Sequence, residues 1–272
     1  MAESPWIAAF AALFLWWAST GVFLWRVAAA DNAGGAQHRW SVIGGLPLLV
    51  GGFAAAQASL GMTGVAGAYL GFAAALAIWG WIELAFLSGV ITGPNRSPCP
   101  PDARPAERLR RAIGTIAWHE LALIAALLAL FVMARGAAMP VAFWAFAVLF
   151  AARVSAKLNL FLGVPRINTA FLPQPLAHVP SHFRHGPASG LFPVSVVLLA
   201  AASAWWILLA AQAGDPAAAV GFALLAMLTL LALLEHGFMV LALPDDKLWR
   251  WMMPAPKKPP LESLREETNG LR

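Results

Sequence analysis

Seven stretches of this chain stay apolar for about the length needed to cross a bilayer, and no other feature limits its fold so strongly. They fall at about 6–28, 40–60, 66–92, 112–135, 138–163, 191–212 and 217–243. Each is near the ~20 residues that span the hydrocarbon layer as a helix. Lipid offers the backbone no hydrogen bonds, so such runs fold as helices that satisfy themselves. The expectation is an all-α polytopic membrane protein: a bundle of seven transmembrane helices over 1–243, then a cytoplasmic tail, amphipathic and disordered, at 244–272. Composition agrees. Only 11% of the 272 residues are charged, 60% are hydrophobic and mean hydropathy is +0.71, whereas soluble domains carry about 25% charged residues.

The basic residues choose the orientation. Seven spans put 17 of the 18 Lys and Arg on one side and Arg135 alone on the other. Positive charge stays inside, so the N-terminus is expected to be periplasmic and the C-terminus cytoplasmic. The same asymmetry accounts for a pI of about 10.1 without any nucleic acid, since cytoplasmic loops face anionic membrane lipid. MAESP is acidic and the run after it is too long for a cleavable leader, so it reads as a first span. Connections on the outer side are short. Those on the cytoplasmic side, 93–111 and 164–190, are long and rich in proline, which favours extended chain. The tail opens with KLWRWMM, a stretch suited to the headgroup region. Cys99 is the sole cysteine, which excludes an intrachain disulfide and a cysteine metal cluster.

Functional chemistry concentrates inside the spans. Helix rise puts Glu83 roughly 14 Å, His119 and Glu120 roughly 10–12 Å, and Glu235 and His236 roughly 10–12 Å from the cytoplasmic ends of their helices. Lys157 lies roughly 9 Å deep, with Asn159 beside it. Ionisable groups within a membrane face the bundle interior and pair, so these seven residues are expected to converge on one polar pocket. Glu235 and His236 are neighbours about 100° apart on their helix. Both can look inward only if span 7 is central, against spans 3, 4 and 5.

Three uses of the pocket compete. Polar pairing is the default: Glu83, Glu120 and Glu235 against Lys157 and Arg153, with the histidines as hydrogen-bond partners. Glu83, His119, Glu120, Glu235 and His236 also form a hard ligand set suited to iron or manganese, though the Glu-x-x-His spacing of carboxylate-bridged bundles is missing. Finally, His119 or His236 is an imidazole of the kind that ligates haem or a chlorin pigment. The loop motif HVPSHFRH (178–185) looks metal-binding, but Pro180 breaks the helix that would align its histidines. Gly-Gly at 44–45 and 51–52 reads as helix packing, not as a phosphate loop.

Several stretches carry a resemblance: LSGVITGPNRSPCPP (87–101), WHELAL (118–123), ARVSAKLNLFLGVPRIN with FLP (152–173), GLFPVSV (190–196) and LEHGF (234–238). From about span 3 onward the sequence resembles the PuhE family, photosynthetic complex assembly proteins of purple bacteria and relatives. One departure is visible: Thr169 and Ala170 follow Asn168 where the family pattern carries acidic residues. The resemblance implies a multi-pass protein of the bacterial inner membrane, including the intracytoplasmic photosynthetic membrane. It implies a role in assembling the reaction centre and light-harvesting 1 complex, linked to bacteriochlorophyll supply. Implied partners are subunits of those complexes and pigment-synthesis proteins, and implied cofactors are bacteriochlorophyll or a precursor. The residue reading adds haem or iron/manganese, and with it a rival function: a membrane-embedded metal-dependent oxidoreductase of pigment biosynthesis.

Overall fold

A computed structural model describes residues 2–169, 171–242 and 247–250. Its long helices are α1 (Pro5–Ala33), α2 (Gln37–Gly61), α3 (Val65–Leu87), α4 (Pro105–Met133), α5 (Val141–Leu162), α6 (Leu191–Gln212) and α7 (Pro216–Phe238), all seven long and apolar enough to cross a membrane. A one-turn helix, α8 (Lys247–Arg250), follows. Among the described residues there is no strand, only an isolated bridge between Val164 and His185. Proline opens α1, α4 and α7, where its missing N–H removes nothing the first turn needs. Asp215 caps α7 by accepting from the Ala218 N–H at 3.1 Å.

The two most enclosed helices are α3 and α7. Small residues let α2 lie close on α3: a Cβ added at Gly52 would sit 2.7 Å from Ile78 Cγ1, the close backbone approach that substitutes for a hydrophobic drive inside lipid. Phe72, Ile78, Leu123, Phe146, Leu224 and Leu225 fill the shared core. The outer faces of α1, α2, α4 and α6 instead expose Phe10, Phe14, Val50, Leu128, Val132, Val197 and Leu198, a surface far too apolar for water but suited to lipid. α7 is central as expected, with one correction. Its main neighbours are α6, α1, α5 and α3, while α4 packs against α5 and α3, because α1 takes the place beside α7.

The sequence run 66–92 overstates α3, which stops at Leu87; Gly89 (φ 72°) then turns the chain. The segment that follows lies against the backbone of α4. The Trp118 and His119 N–H groups both donate to the Thr92 carbonyl (2.9 and 3.2 Å), and the Asn95 N–H donates to the Gly114 carbonyl at 3.0 Å. A loop carbonyl thus enters the hydrogen-bond ladder of a helix one residue before the Glu120 position. The approach is so close that a Cβ at Gly93 would fall 2.0 Å from the Gly114 carbonyl oxygen.

The 164–190 connection is not simply extended. It carries two 3-10 turns, Gln174–Leu176 and Val179–His182, and tucks Leu176 and Val179 against Phe86, Leu87, Ile116, Leu172 and Phe183 as a small second core. Of the tail expected at 244–272, only Lys247–Arg250 lies within the described residues. There Trp249 is buried, donates its Nε1–H to the Trp17 carbonyl (3.0 Å) and packs on Trp16 and Phe171.

Candidate functional site

Four helices contribute the site. On α5, Arg153 and Lys157 are four residues apart and so share a face. The Arg153 Nη2 donates to Glu83 Oε2 of α3 at 2.8 Å. The other oxygen of Glu83 faces His119 Nε2 of α4 at 3.5 Å, beyond hydrogen-bond length for a ring nitrogen. His119 Nδ1 lies 3.3 Å from Glu120 Oε1 and 3.2 Å from Lys157 Nζ, and the Lys157 ammonium also pairs with the Glu120 carboxylate. Phe86, one turn after Glu83, packs its ring on the fully buried His119 at 4.3 Å between centroids. The result is a row of side chains, Arg153–Glu83, His119 and Glu120–Lys157, with a carboxylate on each side of the imidazole, a cation at each end and a 3.5 Å gap between Glu83 and His119. Paired in this way, the charges offset by mutual attraction part of the cost of leaving water.

Three expected members, His236, Asn159 and Glu235, stand outside this row. His236 turns to α5 instead: its Nε2 lies 2.9 Å from Ser155 Oγ and its Nδ1 2.9 Å from the Ala232 carbonyl. Asn159 is buried beside it, donating to Ser195 Oγ (2.9 Å) and to the Ser155 carbonyl (2.9 Å). These residues form a second polar contact among α5, α6 and α7. The seven candidates therefore do not share one pocket.

Glu235 has a third environment. It lines a cavity of about 320 Å³ formed by α1, α3, α5 and α7 with Asn168, Phe171 and Leu172. Trp16, Phe23, Trp79 and Phe171 give the cavity aromatic walls, Leu76 and Leu228 an aliphatic floor. Glu83 and Arg153 reach its edge, joining it to the charged row. Arg153 lines the cavity, and 40% of its side chain is exposed. Glu235 makes no hydrogen bond or ion pair to another described residue, so the expected pairing with Lys157 or Arg153 does not form.

The ligand readings can be judged on this geometry. Among the described residues, no three His, Cys, Asp or Glu side chains converge as metal ligands, because Glu235 and His236 diverge from the His119–Glu120 pair. The five-residue set does not fit a binuclear metal centre. Neither imidazole lines the cavity: His119 and His236 are enclosed, with 0% and 1% exposure. The loop histidines do not cluster on a metal either. Burial holds His178 and His182 below the usual imidazole range, since desolvation disfavours the charged ring.

The aromatic walls had no sequence signal. Span 1 carries no ionisable group at mid-depth, and a tryptophan facing a cavity has the same spacing as one facing lipid. Arg153 was legible only as a partner for carboxylates, not as the link between cavity and charged row.

Comparison with known proteins gives a consistent placement. No solved structure matches the chain. A protein of Rhodobacter capsulatus described as "Uncharacterized 30.4 kDa protein in puhA 5'region" is 53% identical over 268 residues, covering 98% of this chain and 97% of that protein. The family model described as "Protein of unknown function (DUF3623)" matches residues 1–260, and the chain belongs to that family.

Proposed function

We propose that the protein is an assembly factor for the photosynthetic reaction centre and light-harvesting 1 complex, acting in the bacterial inner membrane and linked to bacteriochlorophyll supply. The observation that carries this reading is near full-length identity of 53% to a protein described by its position 5′ of puhA, a photosynthesis gene-cluster context. The fold is compatible with such work. Seven apolar helices make a multi-pass membrane protein, and an interior cavity adjoins the row of charged side chains. In this reading the N-terminus is periplasmic and the long proline-rich connections are cytoplasmic, where partner subunits and pigment-synthesis proteins meet them.

The test is deletion of the Rhodobacter capsulatus relative, with this chain supplied in trans. The expected outcome is loss of reaction-centre and light-harvesting 1 absorbance from the membranes, restored by this chain. Normal absorbance in the deletion strain defeats the proposal. Accumulation of a pigment-synthesis intermediate would transfer the role to the enzyme reading, for which the dispersed Glu/His set gives no present support.

A further inference from the structure

Among the described residues, the carboxylates and cations inside the bundle pair off one to one, with a single remainder. Glu83 is held by Arg153 and Glu120 by Lys157. Glu235 is left over, and it is the carboxylate that lines the cavity. The cavity wall therefore carries one acidic group in excess of its cations. A carboxylate with no direct ion-pair partner, on a wall that is otherwise mostly apolar, favours a cationic partner.

The rest of the lining narrows that partner. Trp16, Phe23, Trp79 and Phe171 present aromatic surface, which attracts a cation through the ring quadrupole and also packs an apolar body. A volume of about 320 Å³ lies at the low end of ligand pockets, roughly 300–1,000 Å³. That suits a compact ligand, not a tetrapyrrole with its tail, and no imidazole faces the space to ligate a macrocycle. An anion is disfavoured because the only guanidinium present, Arg153, already donates to Glu83 at 2.8 Å. A bare metal ion is disfavoured too, for want of converging ligands.

We propose that this cavity binds a compact lipophilic amine, its ammonium group on the Glu235 carboxylate and its apolar body between the Trp16, Phe23 and Trp79 rings. The site does not rest on the assembly role, and the two readings fail separately because binding is measured on the purified protein.

The experiment uses the full chain in lipid nanodiscs, with empty nanodiscs subtracted, and compares phenethylamine with its neutral counterpart 2-phenylethanol by saturation-transfer NMR and by ligand-induced thermal shift. The expected result is tighter binding of the amine by about tenfold, the discrimination of one charge-assisted hydrogen bond. Glu235→Gln should bring the two ligands to parity and leave 2-phenylethanol binding unchanged. Leu228→Trp, which fills the aliphatic end, should weaken both. Equal affinity in the unmodified protein, an amine preference that survives Glu235→Gln, or no amine binding at millimolar concentration would each overturn the proposal. If Leu228→Trp does not fold, the Glu235→Gln comparison decides alone.

Discussion

Glu235 and His236 are adjacent in sequence and do unrelated things. Successive residues on a helix point about 100° apart. One step around α7 therefore separates the cavity wall from the Ser155 contact on α5. Helix rise is constant, but depths counted from the expected span ends were off by several residues, because α3 stops at Leu87, α4 starts at Pro105 and α7 stops at Phe238. Only the shared level of Glu83, His119, Glu120 and Lys157 was legible. Azimuth was not, because an all-apolar helix offers no polar face to orient it. A consequence can be measured. Glu83→Gln removes the counter-charge of Arg153 and should destabilise the protein by about 2–4 kcal/mol. That is below the figure for a fully buried pair, because 40% of the Arg153 side chain is exposed. Glu235→Gln breaks no pair and should leave membrane abundance intact. Quantified together in membranes, the first variant should be depleted and the second not. Equal depletion would refute the assignment of Arg153 to Glu83.

At the scale of elements, hydropathy located every long helix but misjudged several ends: α1 runs on to Ala33, α4 starts at Pro105, and α3 and α7 stop at Leu87 and Phe238. The apolar run of span 3 continues through Val90 and Ile91, and Ile91 does pack on the main core, so the run looks unbroken although the helix stops at Leu87. What hydropathy misses is backbone recognition: the Thr92 carbonyl bonded to α4 just ahead of His119 and Glu120. That contact depends on Gly93 having no side chain. Gly93→Ala should force loop and helix apart and cost about 1–3 kcal/mol, the usual scale of overpacking. Gly44 offers the control, since a Cβ there meets nothing within 4 Å and alanine gains helix propensity, up to about 1 kcal/mol. Denaturation in mixed detergent micelles should rank Gly44→Ala at or above the unmodified protein and Gly93→Ala clearly below it. If Gly93→Ala matches Gly44→Ala, the loop does not hold α4 as described. The role of α1 was hidden for a related reason. It lacks ionisable groups at mid-depth that would mark it in the sequence, yet it supplies Trp16 and Phe23 to the cavity and partners α7.

For the whole molecule, the count of seven helices and the all-α class were legible because the bilayer thickness imposes a length on every span. The arrangement of those helices was not, since packing order depends on which small residues meet across an interface. The charge asymmetry predicts that both long connections face the cytoplasm, and the chain carries its own probe of this. Cys99, the sole cysteine, lies half-buried in the 88–104 connection, where its N–H donates to Ser181 Oγ of the other long connection at 2.9 Å. One thiol thus reports on both connections, with no other cysteine to remove. A membrane-impermeant maleimide should leave Cys99 unmodified in right-side-out spheroplasts and modify it in inverted vesicles, with modification in both after detergent permeabilisation as the control for reactivity. Labelling in spheroplasts alone would turn the bundle over. It would put the long connections, and the partners proposed to meet them, in the periplasm. The positive-inside rule would then have failed on a chain where 17 of 18 basic residues agree, and the charge of those connections would need a ligand-binding explanation instead of a topological one.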